Sequence, residues 1–403
     1  MRRSPTAPLL SFVAAALGVV LALGIAHAAG WLGESHSETV VVSSPRLGEP
    51  TAMSPVVPAV RTNGAKPLLG NGFDPAAIYG ARSPGVVTVY AEFGGGARAQ
   101  GSGFVVSRDG LVLTNSHVIT STETGEPAGA EQIYVEFADG DRAAGRVVGW
   151  DVFDDVGVVR VEPRDHRLIP VPLGRSADVR IGDPVAIIGS PFGNENSLAV
   201  GVVAATRRSI PSLTSQYDLL DAIQTDAPIN SGNSGGPMFD ARGRVIGIAA
   251  QIRSSSGTAE GVGFAVPIDS AQRSLRQLLR DGEVRYAYAG VKAQTLTPSI
   301  ARKFGFPVQH GAIVTHVEPG SPADAAGLRP STRAEELNGV PVAADGDVVI
   351  AVNGAQVAAA DDLVRAVSSR LEPGQVAKLT ILRGAERRTV ALRLAARPNR
   401  RPG

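Results

Sequence analysis

Eleven short runs rich in β-branched residues, each closed by a turn former, commit this chain to a mainly β fold. They are residues 86–91, 103–107, 111–114, 133–137, 147–149, 156–161, 185–189, 201–206, 223–225, 245–250 and 263–266. Runs of this length and content, bounded by Gly, Asp, Asn and Pro, read as strands. The 47 glycines supply the tight turns between them. Eleven such strands fit a pair of six-stranded barrels in which one strand carries no run of its own. A clear exception is 268–279. There Ile268, Ala271, Leu275, Leu278 and Leu279 recur at helical spacing, so a helix is expected.

The first 72 residues have a different character. Arg2 and Arg3 precede a run without formal charge from Ser4 to Gly33, whose apolar core is 9–29. That core is about long enough to span a bilayer. Basic residues on one side, with Glu34 and Glu38 on the other, place the N-terminus in the cytoplasm. Residues 1–33 therefore read as a single-pass anchor in the cell membrane, favoured by the length of the core. The alternative is a signal peptide cut at Ala26-His27-Ala28, which would release a secreted or periplasmic protein. Both readings put the remainder outside the cytoplasm. Residues 34–72, with Pro45, Pro50, Pro55, Pro58 and Pro67, read as an extended disordered linker.

The chemistry is concentrated in Asn230-Ser231-Gly232-Asn233-Ser234-Gly235-Gly236-Pro237. A serine hydroxyl becomes a nucleophile only beside a base, and its attack creates an oxyanion that needs donors in place. A glycine two before the serine lets the two backbone N–H groups face one point. The oxyanion hole is accordingly read on Gly232, Asn233 and Ser234, with Gly232 and Ser234 donating and Asn233 shaping the turn. Upstream, His117 follows the run 111–114, and Asp155 opens the run 156–161. The order His, Asp, Ser is one of the known orders of a catalytic triad. Asp151 and Asp154 compete with Asp155, but strand alternation puts Asp154 and Asp155 on opposite faces. The other histidines read as bystanders: His27 and His36 flank the apolar segment, His166 sits in a polar loop, and His310 and His316 read as surface or core positions.

Several of these segments together resemble the HtrA/Deg-type serine proteases. They are Gly101-Ser102-Gly103-Phe104, Thr114-Asn115-Ser116-His117-Val118, Asp155-Val156-Gly157-Val158-Val159 and Gly232-Asn233-Ser234-Gly235-Gly236. Gly189-Ser190-Pro191-Phe192-Gly193 and Gly263-Phe264-Ala265-Val266-Pro267 add to the match. The resemblance implies a chymotrypsin-like double β-barrel protease domain over 73–280, with His117, Asp155 and Ser234 catalytic, and it selects Asp155 over its rivals. It implies a substrate pocket near Ile229, Asn230, Ala250, Gln251 and Ile252. No carboxylate stands where a basic-residue pocket needs one, unless Asp226 turns inward, so aliphatic residues are expected before the cut. Pro228 and Ser231 depart from the commonest family pattern. A homotrimer built through aromatic residues near the domain start is also implied, with Phe73 and Tyr79 in the right region.

From 286 to 396 the chain resembles a small α+β PDZ domain of the same kind. Tyr288-Ala289-Gly290-Val291 matches its carboxylate-binding loop, and Ser321-Pro322-Ala323-Asp324-Ala325-Ala326-Gly327-Leu328 and Val352-Asn353-Gly354 support the match. C-terminal peptides are the expected ligands, with Val314, Leu363 and Val364 in the apolar groove. The stretch from Arg329 to Asp345 interrupts the family pattern as an added loop or hairpin. Residues 397–403 read as a basic tail.

Composition narrows the functions. Thirty-nine basic and 38 acidic residues give a net charge of +1, without the basic footprint of a nucleic-acid binder. The absence of cysteine removes disulfides and thiolate catalysis, and no histidine has an i,i+4 histidine partner for zinc. No metal or cofactor is expected. No G-x-x-x-x-G-K-[ST] loop is present, so the expected enzyme is an ATP-independent endopeptidase acting on unfolded or extended polypeptides. Such an enzyme would clear misfolded envelope proteins or cut one signalling substrate. The alternatives are a catalytically silent PDZ scaffold, a holdase-type chaperone, or an esterase using the same triad.

Overall fold

The computed structural model describes residues 72–399 apart from 122–126, 165, 191–195, 231 and 253–261. The apolar run 9–29 and the linker up to residue 71 lie outside the described residues. Among the described residues no helix is long and apolar enough to cross a membrane.

Two closed six-stranded barrels form the first part of the molecule. In the first the ring order is Val86–Glu92, Arg98–Val105, Leu111–Thr114, Val156–Val161, Arg142–Asp151 and Gln132–Glu136. In the second it is Ser197–Pro211, Asp218–Thr225, Gly263–Pro267, Val245–Ile252, Pro237–Phe239 and Pro184–Gly189. Alternation does the sorting. Along Gln132–Glu136, Ile133 and Val135 face the barrel interior while Gln132 and Tyr134 face solvent. The strand not read from the sequence is Pro237–Phe239. Three residues carry no alternation to detect, and pairing with both Pro184–Gly189 and Val245–Ile252 makes it a strand. At the turn before Leu111, Gly110 has φ 96°, and a Cβ there would lie 1.9 Å from the Val161 carbonyl oxygen. Only glycine fits.

A shared core fills the space between the barrels. It includes Phe104, Leu113, Val158, Ile188, Phe239 and Phe264, and the helix Ile268–Asp281 closes it with Ile268, Ala271 and Leu278. Gly282 ends that helix in the left-handed region, its N–H donating to Leu278. Leu279, expected on the apolar face, is 48% exposed. It lies on the shoulder of the stripe, one residue on from the buried Leu278. Ser274 takes an inward position instead, bonded to Asp151.

The second part is built on a six-stranded sheet, five strands in the order Val291–Leu296, Gly311–Val317, Val348–Val352, Val376–Arg383, Glu386–Arg393 and the sixth, Ala355–Gln356, paired beside Val348–Val352. The helix Ala360–Ser368 packs across it, burying Leu363 and Val367. Ala287–Tyr288 pairs with Ala395–Ala396, which brings the two ends of this domain together. The interruption between Arg329 and Asp345 contains a two-stranded hairpin, Ala334–Leu337 with Val340–Ala343. Its Asn338-Gly339 turn has positive φ at both residues, as a two-residue hairpin of native twist requires. Val342 and Ala343 join a small core with Leu296, Ile300, Ile313 and Leu382, and Gln294 receives the Ala343 N–H at 2.8 Å.

Arg397, read as the start of a basic tail, is packed. Its guanidinium lies over the rings of Tyr217, Tyr286 and Phe153 at 4.9, 5.0 and 5.2 Å, and its N–H donates to the Tyr286 carbonyl. The strand pairing beside it delivers it there, which composition alone does not reveal.

Candidate active site and peptide groove

His117 rides on a single helical turn, Ser116–Ile119, directly after the strand Leu111–Thr114. Asp155 precedes the neighbouring strand Val156–Val161, and the two strands pair. The Asp155 Oδ2 is 2.8 Å from His117 Nδ1. Its Oδ1 accepts the Ser116 hydroxyl at 2.8 Å and the His117 backbone N–H at 3.0 Å. The Asn115 amide donates to the Asp155 carbonyl at 2.8 Å. Asp155 holds φ 51°, an uncommon conformation for a residue with a Cβ, and these bonds surround it. A carboxylate on Nδ1 assigns the proton there and leaves Nε2 as the basic nitrogen. Burial works to lower the His117 pKa, but the charge of Asp155 and its hydrogen bond outweigh burial and leave it raised above 6.5.

Asp151 and Asp154 have other partners. Asp154 pairs with Arg273 at 2.6 Å. Asp151 accepts the hydroxyls of Tyr286 at 2.5 Å and Ser274 at 2.6 Å, and the N–H of Phe153 at 2.9 Å. Burial first, then the charge of Asp154, push Asp151 up to about 6. Together they brace the turn that presents Asp155.

Ser234 belongs to a loop held between the barrels. Its hydroxyl donates to the Ala250 carbonyl at 3.0 Å, and its own carbonyl accepts the Ser102 N–H at 2.7 Å. Gly232 and Gly235 both have positive φ. A Cβ on Gly235 would meet the Ser102 oxygen at 2.0 Å. The Asn233 N–H donates to the Asn230 carbonyl at 3.0 Å, so it is engaged in the turn, and the candidate hole donors are the N–H groups of Gly232 and Ser234.

The expected pocket residues separate. Ile229 is 2% exposed and packs inside the second barrel with Val185, Ile187 and Val203, so it is not a pocket wall. Ile229 lies in the loop after the strand Asp218–Thr225, buried there while the next residue, Asn230, is exposed. Ala250 is buried and touches the Ser234 hydroxyl through its carbonyl. Gln251 and Ile252 lie in the strand Val245–Ile252, but their side chains are outside the described residues. Asp226 accepts the Val202 N–H at 2.7 Å as a turn carboxylate.

A groove of about 330 Å³ runs along Tyr288, Ala289, Gly290 and Val291 on one side and Leu363, Val364 and Val367 on the other. The edge strand Val291–Leu296 forms one wall and the helix Ala360–Ser368 the other. Val314, expected in the groove, is fully buried in the domain core because its strand is interior to the sheet. Residues from Arg329 to Asp345 do not line the groove. Ser209, Tyr217, Asp218 and Leu220 of the second barrel do, a feature the sequence did not signal. Phe73 and Tyr79 pack against the inter-barrel core, and the Tyr79 hydroxyl donates to the Asn196 carbonyl.

Two barrels with a His–Asp pair on one and a glycine-flanked serine on the other, followed by a groove-bearing domain built on a six-stranded sheet, define a trypsin-like peptidase joined to one PDZ domain. The Trypsin-like peptidase domain family matches residues 101–248 and the PDZ domain family matches 287–394. The chain belongs to the HtrA-type serine proteases. It is 32% identical to the HtrA-type protease AlgW solved with a tripeptide, with a TM-score of 0.67, covering 81% of this chain and 98% of that one. A serine endoprotease from Yersinia pestis is 26% identical, with a TM-score of 0.57, over 81% of this chain and 98% of that one. A probable periplasmic serine endoprotease, DegP-like, from Hahella chejuensis is 38% identical over 302 residues, 75% of this chain and 58% of that protein. Protease Do-like 1, chloroplastic, from Arabidopsis thaliana is 35% identical over 75% of this chain and 65% of that protein. The chain thus spans less than two thirds of these curated relatives.

Proposed function

We propose that this chain is an ATP-independent, extracytoplasmic serine endopeptidase acting on unfolded or extended polypeptides. The observation that carries the reading is the 2.8 Å contact of Asp155 with His117 Nδ1, which leaves Nε2 as the base. Ser234 attacks the scissile carbonyl as its hydroxyl leaves Ala250 and gives its proton to Nε2. The N–H groups of Gly232 and Ser234 receive the oxyanion. His117 then protonates the leaving amine, and water repeats the cycle on the acyl-enzyme. Asp226 accepts the Val202 N–H as a turn carboxylate, which supports a pocket that takes aliphatic residues before the cut. The groove beside Tyr288–Val291 takes a C-terminal peptide as an added strand. Relatives named as periplasmic endoproteases support the location. A membrane anchor on residues 1–33 and a homotrimer are part of the same proposal, resting on the sequence.

One observation favours a second reading, a catalytically silent scaffold: the Ser234 hydroxyl is bonded to Ala250. Incubation of the purified chain with an unfolded protein such as casein, followed by mass spectrometry, decides. Cleavage after Val, Ala, Ile or Leu that Ser234→Ala abolishes supports the endopeptidase; an inert parent chain supports the scaffold. Dominant cleavage after Lys or Arg overturns the aliphatic pocket.

A further inference from the structure

We propose that Ser102 is a positioning residue for the oxyanion hole, setting the nucleophile loop of the second barrel against the first barrel. The proposal rests on the reading of Ser234 as nucleophile. Ser102 lies on the strand Arg98–Val105 of the first barrel and is fully buried. Its hydroxyl donates to the Gly232 carbonyl at 2.5 Å and accepts the Ser190 N–H at 2.8 Å. Its own N–H donates to the Ser234 carbonyl at 2.7 Å, and its carbonyl accepts the Thr114 hydroxyl at 2.7 Å. One residue, through its side chain and backbone, therefore grips the loop at the carbonyl between the two candidate hole donors and at the carbonyl just after the second. Every polar group of Ser102 has a partner in this contact.

The geometry explains why the hydroxyl matters. The Gly232–Asn233 peptide lies between the two hole donors. Ser102 holds its carbonyl end, and the Asn230 carbonyl holds its N–H end at 3.0 Å. A peptide fixed at both ends cannot rotate, and this restrains the two flanking peptides that carry the Gly232 and Ser234 N–H groups. Preorganised donors stabilise a developing oxyanion without reorganising during the reaction. Thr114 lies three residues before His117, so the same contact also sets the loop's distance from the base. Behind it, Thr88 donates to the Ser190 hydroxyl at 2.5 Å, and Thr88 and Ser190 are both buried. Removing the Ser102 hydroxyl leaves the Gly232 carbonyl and the Ser190 N–H without this partner and frees the peptide.

The test compares the full chain with Ser102→Ala, Ser102→Cys and Thr88→Val, using a peptide substrate and a matched peptidyl aldehyde whose adduct places an oxyanion in the hole. Ser102→Ala is expected to lower kcat by about tenfold or more, below the ~10²-fold loss of deleting a hole donor outright, with KM within about twofold. Aldehyde inhibition should weaken by the same factor. Ser102→Cys, a weaker donor of similar shape, should fall between parent and Ser102→Ala. Thr88→Val removes a buried hydroxyl one step further from the loop. It should lower the melting temperature comparably while leaving kcat within about threefold. Unchanged kcat in Ser102→Ala, a loss confined to KM, or an equal kcat loss in Thr88→Val overturns the positioning role. A parent chain that does not cleave the peptide removes the endopeptidase reading first, which keeps the two failures distinct.

Discussion

The Ser234 hydroxyl donates to the Ala250 carbonyl at 3.0 Å. Ala250 lies on the strand Val245–Ile252, where a register shift occurs between Ala249 and Gln251. His117, on the opposite barrel, meanwhile commits Nδ1 to Asp155. In the proposed mechanism Ser234 exchanges the Ala250 carbonyl for His117 Nε2 as its acceptor. A single neutral hydrogen bond contributes only about 1 kcal/mol net, so substrate binding can readily supply the exchange.

Ser234→Ala and His117→Ala are each expected to lower casein cleavage by about 10⁴-fold or more, because triad members act as a unit. His166→Ala should stay within about twofold. Its ring stacks on Phe137 at 3.8 Å and faces Asp139 and Asp141, away from the triad's own contacts. Equal losses from His117→Ala and His166→Ala would remove the assignment of the base.

The rate should rise with pH through a midpoint above 6.5, since the base must be neutral and Asp155 holds the His117 pKa up. Asp155→Asn should lower that midpoint while costing about 10⁴-fold in kcat. The same shift has a stability consequence. A histidine with a raised folded-state pKa stabilises fully below its unfolded value and loses that contribution as pH rises through the folded one. A pH–rate profile with its midpoint below 6.5 would contradict the electrostatic balance at His117.

Asp151 gives a second, opposite-looking signature for a carboxylate. Burial and the charge of Asp154 raise it from 3.8 to about 6. Between those values the folded chain holds a proton that the unfolded chain has lost, so stability falls as pH rises from about 4 to 6. Asp151→Asn should flatten that part of the melting-temperature profile. It should also reduce activity, since an amide NH2 in place of the Oδ2 that accepts the Tyr286 and Ser274 hydroxyls disturbs the support of the turn before Asp155. An unchanged slope in this variant would show that Asp151 is ionised throughout.

Much of this was legible because the signals are local. His117, Asp155 and Ser234 each sit in a short motif beside a strand, and eleven of the twelve barrel strands carry their own turn-bounded apolar run. What was not legible depends on residues distant in sequence. Ser102 reads only as part of a glycine-rich segment, yet it meets Gly232, 130 residues on. Ile229 lies next to an exposed loop residue but points into the barrel. Arg397 looks like solvated charge until the pairing of Ala287–Tyr288 with Ala395–Ala396 carries it onto three aromatic rings. Val314 sits beside groove-forming sequence but occupies an interior strand.

The groove makes the final prediction. A peptide ending in valine with a free carboxylate should bind the chain, and its amidated twin should bind at least tenfold more weakly, the equivalent of about 1.4 kcal/mol. The exposed edge of Val291–Leu296 offers backbone groups to an added strand, while Leu363, Val364 and Val367 offer apolar area. Val364→Asp should weaken the free acid, because a carboxylate enters the apolar wall at a residue already 38% exposed. Replacing the hairpin Ala334–Leu337 and Val340–Ala343 with a short turn should leave peptide affinity within about threefold. That hairpin packs on Leu296, Ile300 and Ile313, and its residues do not line the groove. Isothermal titration of the four combinations separates the roles. Equal affinity for acid and amide would remove carboxylate capture at Tyr288–Val291, whereas loss of binding on shortening the hairpin would show that it shapes the groove through Gln294, which brackets it on the edge strand.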